Sequence, residues 1–342
     1  MARQAVILAG GFGTRLRPLT ERTPKSLLEL GGRPFLETLF QRLASAGVRL
    51  AVLSVHHQSG ALAAALPRLR RFGLRVRLSR ESKPLGTGGA IRHAWPDPAE
   101  PCLVLNGDIL TDLDLGPMAE THAASGADAT LWSIRVADTS AFGVIERDGR
   151  GRVRRFVEKP KPGQSASRDI NAGLYALAPS VRAAIPAGRA VSVEREVFPG
   201  LLAAGAELRL YRSPRAVYWS DIGTPASYLR ANLDLLGGKL WGGRGPALAL
   251  WGRPDHGHSL RGAACRVARD AQVVRSVLGP ACAVGAGAVV QGSALARGCV
   301  VGEGARLNGV LLAAGVRVGA RCVLSPGVVL GPGARLPDDS RL

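Results

Sequence analysis

Apolar residues in the first two thirds of the chain fall into short runs separated by polar or glycine-containing stretches. The runs at 5–8, 51–55, 75–78 and 103–105 are too short for helices and read as buried strands. Between them, 35–46 and 59–66 carry apolar positions at helical spacing. Strands that alternate with helices predict a largely parallel sheet with helices on both faces, a Rossmann-like α/β layer. Further along, 143–147 and 152–158 flank Asp148-Gly149, a hairpin turn signal, so the later strands are expected to be antiparallel and the sheet mixed.

A second pattern takes over beyond a glycine-rich stretch that contains Gly237-Gly238 and Gly242-Gly243. Val267, Val284, Val301 and Val318 recur every 17 residues, as do Val273, Val290, Leu307 and Leu324, and Leu278, Leu295, Leu312 and Val329. Three apolar corners per repeat describe a triangular coil. One coil cannot bury its corners alone, so coils must stack. The pieces Val284-Gly285-Ala286-Gly287-Ala288 and Val301-Gly302-Glu303-Gly304-Ala305 resemble the hexapeptide repeat of left-handed parallel β-helices. The expected division is a catalytic domain at 1–236, a linker at 237–259 and a β-helix at 260–342.

Composition narrows the class. No run approaches the ~18 apolar residues of a membrane span. The apolar stretch at 5–8 stops at Gly10-Gly11, too early for a signal-peptide core, so a cytoplasmic protein without membrane contact is expected. The formal charge is +19, but only five of the 45 basic residues are lysines and the arginines form no long run. That distribution argues for biased composition over a nucleic-acid footprint, while the charge still favours anionic ligands. The five cysteines include no CxxC pair. Cys265, Cys282 and Cys299 share the 17-residue step and read as one packing column. His56-His57 has no partner cluster and reads as a loop pair, and Trp95, Trp132 and Trp251 read as packing residues.

Candidate chemistry begins where the first strand runs into Leu8-Ala9-Gly10-Gly11-Phe12-Gly13-Thr14-Arg15-Leu16. A glycine-rich turn after a strand presents backbone N–H groups to a phosphate chain, and Arg15 adds a fork-shaped cation. The dinucleotide fingerprint needs a third glycine where this chain has Leu16, which counts against a dehydrogenase. Asp108 follows an apolar strand run, at the edge of an α/β sheet where ligands bind.

The stretch at 8–20 resembles the signature of the sugar-1-phosphate nucleotidyltransferases, the sugar-nucleotide pyrophosphorylase family. Pro24-Lys25, Gly86-Thr87-Gly88-Gly89, Leu105-Asn106-Gly107-Asp108, Val157-Glu158-Lys159-Pro160, Asn171-Ala172-Gly173 and Trp219-Ser220-Asp221-Ile222-Gly223-Thr224 follow in family order. The resemblance covers nearly the whole chain, because some members carry a C-terminal β-helix. It implies a nucleoside triphosphate and a sugar 1-phosphate as substrates, Mg2+ as cofactor and Asp108 and Asp221 as its ligands. Arg15 and Lys25 would neutralise the triphosphate. Leu8, Ala9, Gly10, Gly11, Gly13, Thr14, Glu81, Gly86, Thr87 and Gly88 would join Asp108 around the nucleotide. Gly143, Glu158, Lys159, Asn171 and Gly173 would form the sugar-phosphate side. The chemistry is consistent in its own terms. The nucleophile is a phosphate oxygen already anionic at neutral pH, so the work is positioning and charge neutralisation.

The base and sugar rest on finer features. Glu81 stands where thymidylyl and many uridylyl relatives have glutamine. A carboxylate accepts only, which suits the paired donors of guanine, so GTP is the expected nucleotide. The run at 191–199 and the β-helix tail resemble mannose-1-phosphate guanylyltransferases, whereas Gly88-Gly89-Ala90-Ile91 resembles the heptose-1-phosphate enzymes. Thymidylyl-, uridylyl- or adenylyltransfer to glucose 1-phosphate and a non-catalytic sugar-nucleotide-binding regulator are the alternatives. Retention of Arg15, Lys25, Asp108, Lys159 and Asp221 together speaks against the regulator. An acyltransferase site in the β-helix would need a histidine base, and all six histidines precede the repeats. The coils are therefore expected to serve stability or homo-oligomer assembly.

Overall fold

The structure is a computed structural model that describes residues 2–56, 58–240, 255 and 257–342. Positions 241–254 and 256 of the expected linker, with Gly242-Gly243 and Trp251, lie outside the described residues, as does His57. Among the described residues, no helix is long and apolar enough to cross a membrane. Contacts group the chain into two compact units. One comprises Met1–Gly11, Thr38–Ile109 and Leu113–Ala216, the other Phe12–Glu37, Leu110–Asp112 and Val217–Leu342.

The first unit is built on one nine-stranded sheet. Gln4–Leu8 lies between Leu50–Val55 and Cys102–Asn106, parallel to both, and Leu50–Val55 is parallel to Arg75–Arg80. These are the four expected strands, but Arg75–Arg80 is not buried as expected: it is the edge strand, and Arg75, Arg77 and Arg80 are exposed while Val76 and Leu78 are only half-buried. Asp169–Leu177 joins antiparallel to Cys102–Asn106 and to Ala129–Arg135, and Gly143–Arg147 forms the expected hairpin with Val153–Glu158. Helices Leu36–Ser45 and Ser59–Ala65 fall where their apolar spacing places them. Val6, Ile91, Val104, Leu131, Tyr175 and Phe198 belong to one buried cluster, with Tyr175 set edge-on to Phe198 at 5.2 Å. The sheet is a Rossmann-like, mixed and mostly parallel layer at its centre. Leu8 pairs with both Ser54 and Asn106, so the carboxyl ends of three parallel strands share one edge.

The second unit contains a parallel β-helix whose strands line up in three all-parallel sheets of five, five and four strands. Leu278, Val284, Val290, Leu295, Val301 and Leu307 fill its core, and Cys282, Cys299 and Cys322 are wholly buried among them. Deleting a corner leucine such as Leu295 would cost about 2–5 kcal/mol. The corners turn through left-handed backbone at Ala264, Ala281, Gly298 and Gly315, again 17 residues apart. One detail of the repeat differs from the expected spacing. Leu312 pairs with Leu330, not Val329, because the segment Ser325-Pro326-Gly327 carries one extra residue with Gly327 at φ 95°. Helix Pro225–Leu236 precedes the coils, opened by a capping box between Thr224 and Ser227.

Candidate active site

The glycine-rich segment divides between the two units after Gly11. In the first, Leu8 ends its strand and Ala9 N–H donates to Ser54 O at 2.9 Å. Gly107 N–H donates to Leu8 O at 2.9 Å, and a methyl on Gly107 would stand 2.5 Å from that oxygen. Only glycine permits this approach, which seats the turn bearing Asp108 against the end of the first strand. Gly10 is next to His56 and Glu81, whereas a methyl on Gly11 would meet nothing within 4 Å. Gly11 is exposed, and its backbone is open to a ligand.

Glu81 is held from two sides. Ser54 Oγ donates to its Oε1 at 2.8 Å and Leu85 N–H to its Oε2 at 3.0 Å. The carboxylate thus closes the 81–85 loop onto the second strand, and its remaining lone pairs are what a base could use. Gly86 adopts φ 67° with its Cα packed on Val191 O, and Gly88 N–H donates to that oxygen at 2.8 Å. Thr87 Oγ1 donates to Glu194 Oε2 at 2.7 Å and accepts from Val193 N–H at 2.8 Å.

Glu194 is a residue to which the sequence assigned no role. It sits on the π-helical turn Val193–Val197, and Ser192 Oγ also donates to it, at 2.9 Å. Such turns occur often at functional sites. Glu194 also bears on Glu158. Burial and then the Glu194 charge raise the Glu158 pKa above the usual carboxylate range, opposed by Lys159 and Arg195. A methyl on Gly143 would stand 2.7 Å from Glu158 Oε2, so Gly143 clears space for that carboxylate. Lys159 itself has φ 49°, a strained value for a residue with a side chain, and its N–H donates to Phe142 O at 3.0 Å. Asn171 and Gly173 occupy a break in the strand register. Asn171 Nδ2 donates to Tyr175 Oη at 2.7 Å, its Oδ1 accepts from Gly173 N–H at 3.1 Å, and Gly173 has φ 78° beside Asn106. These contacts bring Thr87, Glu194 and Glu158 into one neighbourhood.

In the second unit, Gly13 takes φ 62° to start the turn Thr14–Leu16, and Thr20 Oγ1 donates to Gly13 O at 2.8 Å. Leu16, the residue that breaks the dinucleotide fingerprint, is fully buried and anchors the turn, leaving Arg15 exposed. Lys25 Nζ lies 3.9 Å from Asp221 Oδ1. A methyl on Gly223 would stand 2.7 Å from that oxygen and 3.1 Å from Arg15 Nη2, so Arg15, Lys25 and Asp221 converge around Gly223. Asp221 ends the short strand Trp219–Asp221, paired with Ile109–Thr111. Tyr218 secures that strand by accepting from Thr111 Oγ1 at 2.7 Å and donating its N–H to Asp112 Oδ1 at 2.6 Å.

The donor set suits Mg2+. Asp108 and Asp221 each offer hard carboxylate oxygens, the donor type that Mg2+ takes, and among the described residues no three His, Cys, Asp or Glu side chains gather into an all-protein metal cage. Magnesium characteristically takes one or two carboxylates and fills its remaining positions with phosphate oxygens and water.

The Nucleotidyl transferase family matches residues 4–237, and the GlmU-like, C-terminal hexapeptide family matches 256–337. A mannose-1-phosphate guanylyltransferase of Mycobacterium tuberculosis is 41% identical over 235 residues, covering 68% of this chain and 65% of the relative. The mannose-1-phosphate guanylyltransferase catalytic subunit beta of Danio rerio is 38% identical over 231 residues, 66% of this chain and 62% of its own. The aligned stretch is thus a little under two thirds of these relatives' length. The crystal structure of HddC from Yersinia pseudotuberculosis superposes with a TM-score of 0.59 at 29% identity, over 69% of this chain and all of that one. A second HddC structure, complexed with GMP-PN, superposes with a TM-score of 0.58.

Proposed function

The chain belongs to the nucleotidyl transferase family and ends in a left-handed hexapeptide β-helix, and from that premise we propose that it transfers GMP from GTP to mannose 1-phosphate. The convergence of Arg15, Lys25 and Asp221 around Gly223 carries this reading, because two cations beside a carboxylate able to take a metal suit a triphosphate. An oxygen of the sugar phosphate attacks the α-phosphorus of GTP. The bond from that phosphorus to the bridging oxygen of the β-phosphate breaks, and pyrophosphate leaves with the electron pair. No proton need move, so no general base is required.

Each side chain then has a defined task. Arg15 and Lys25 offset charge that develops on the phosphates during displacement. The backbone at Gly10 and Gly11 receives the phosphate chain, and Glu81 fixes the loop beside the base. Glu158 and Asn171 accept and donate hydrogen bonds to the sugar hydroxyls, and Lys159 binds the sugar phosphate. Asp108 and Asp221 are the residues that would hold magnesium, which when bound supplies charge neutralisation at the reacting phosphates.

Two observations favour guanine and mannose. Relatives named for mannose 1-phosphate guanylyl transfer reach 36–41% identity, and a structural neighbour carries GMP-PN. The test is pyrophosphate release across GTP, ATP, UTP, dTTP and CTP, each with mannose, glucose and heptose 1-phosphates. GTP with mannose 1-phosphate should give the highest kcat/KM. A higher value with dTTP or UTP would overturn the base assignment, and one with another sugar phosphate would overturn the sugar. We also propose a cytoplasmic homo-oligomer, to be measured by light scattering on the purified chain.

A further inference from the structure

The segment Phe12–Glu37, which carries Arg15 and Lys25, is folded into the same unit as the coils, and the contact has a definite centre. Glu29 follows the turn Lys25–Leu27 and opens the two-residue strand Glu29–Leu30, which pairs antiparallel with Arg33–Pro34. Its Oε2 accepts from the backbone N–H of Arg297 at 3.1 Å, and its Oε1 accepts from Arg297 Nε at 3.0 Å. The Glu29 side chain is only 13% exposed, so its charge requires a partner, and Arg297 supplies both a fixed main-chain donor and a guanidinium. A methyl at Gly279, one coil away, would stand 2.7 Å from Glu29 Oε2.

Two further contacts surround this one. A methyl on Gly32 would touch Gly279 and Pro280, and one on Gly331 would stand 3.1 Å from Pro18. From the other side, Gly31 N–H donates to Asn232 Oδ1 at 2.9 Å, and Tyr228 Oη donates to Glu29 O. The segment at 29–32 is thus gripped between helix Pro225–Leu236 and the coils. The 3-10 turn Lys25–Leu27 lies immediately before it in sequence.

We propose that the β-helix positions the catalytic loop, with Glu29 and Arg297 as the positioning pair that holds the segment carrying Arg15 and Lys25. The proposal rests on the reading that these two cations act on the triphosphate. It also changes what the coils are for. Their removal after Leu236 would strip Glu29 of both donors and loosen the loop, whatever it did to assembly.

The test uses the full chain with Arg297→Lys, Arg297→Ala and Arg297→Glu. Arg297 is 66% exposed, so all three should fold. Hydrogen exchange is followed on peptides covering 13–30 and, as an internal control, on coils 317–336. The kcat and KM for GTP are measured beside Lys25→Ala. A misplacement of about 1 Å can cost on the order of 10²-fold in rate, so a loosened loop should lower kcat about tenfold in Arg297→Glu and about threefold in Arg297→Ala. Arg297→Lys should stay near the natural enzyme. Exchange at 13–30 should quicken in the same order while 317–336 is unchanged. Unchanged exchange at 13–30 in Arg297→Glu would overturn the brace. Faster exchange with unchanged kcat in an active enzyme would overturn its role in positioning. An unaffected Lys25→Ala would instead refute the assignment of the loop cations, and the exchange result would still decide the brace.

Discussion

Gly11→Ala separates the role of the turn in folding from its role in binding. Among the described residues a methyl there would meet nothing within 4 Å, and the backbone φ lies outside the left-handed range. The fold should accept alanine and gain about 0.4–1 kcal/mol, because the unfolded chain loses freedom. Since no described residue stands in its way, the methyl should act on a ligand approaching the Gly11 backbone. Loss of a hydrogen bond to a charged phosphate is worth about 1.5–3 kcal/mol, which corresponds to roughly ten- to a hundredfold in kcat/KM. The assay is pyrophosphate release with GTP varied at saturating mannose 1-phosphate, next to a thermal melt. Efficiency for GTP should fall by that factor while the melting temperature holds or rises. Unchanged efficiency with a normal melt would refute a phosphate at Gly11. A lowered melting temperature would refute the claim that the fold leaves the position open. Gly107→Ala is the contrasting control, since its methyl would clash with Leu8 O at 2.5 Å and must disturb the protein itself.

Asp108→Asn and Asp221→Asn should each cut turnover by about two orders of magnitude or more with magnesium saturating and the melt preserved, since each removes a charge from a carboxylate proposed to hold magnesium; near-natural turnover in both would end the metal assignment. Glu81→Gln keeps an acceptor for Leu85 N–H but loses charge, so GTP efficiency should fall about ten- to a hundredfold. If Glu81 reads guanine, UTP and dTTP will be spared; a parallel loss with every nucleotide would show that it only closes the loop through Ser54 and Leu85. Glu158 has a raised pKa from burial and the Glu194 charge. Its ionised form, needed for sugar hydroxyls, is lost as pH falls through that raised value, so KM for mannose 1-phosphate should climb at a higher pH than an ordinary carboxylate near 4.3 would give. The stability effect has the opposite sense. Above the unfolded value the native state holds more proton than the unfolded chain, so stability falls as pH rises through the window, and Glu158→Gln should flatten both profiles.

What could be read from the sequence was local or periodic. Strands such as Gln4–Leu8 and Cys102–Asn106 follow from unbroken apolar runs, and the coils follow from a 17-residue step that no other architecture explains. The exception at Val329 comes from a single inserted residue in Ser325-Pro326-Gly327, a turn-forming triplet that marks where counting by 17 fails. The π-helical turn that lifts Glu194 toward Thr87 leaves no apolar period to detect, and the two residues are 107 positions apart. The brace at Glu29 and Arg297 spans 268 positions and depends on which coil face meets which loop. Pairings of that range are set by packing, and no window along the chain contains both partners.

The same distinction bears on how two anionic substrates are brought together. GTP and a sugar phosphate repel each other, and reaction requires both to be held at contact distance. Thr87 is proposed to lie on the nucleotide side, and its hydroxyl is committed to Glu194. Glu194 is in turn the largest cause, after burial, of the raised pKa of Glu158, which is proposed to lie on the sugar side. If nucleotide binding shifted Thr87, the Glu194 charge would shift with it, and the ionisation of Glu158 would follow.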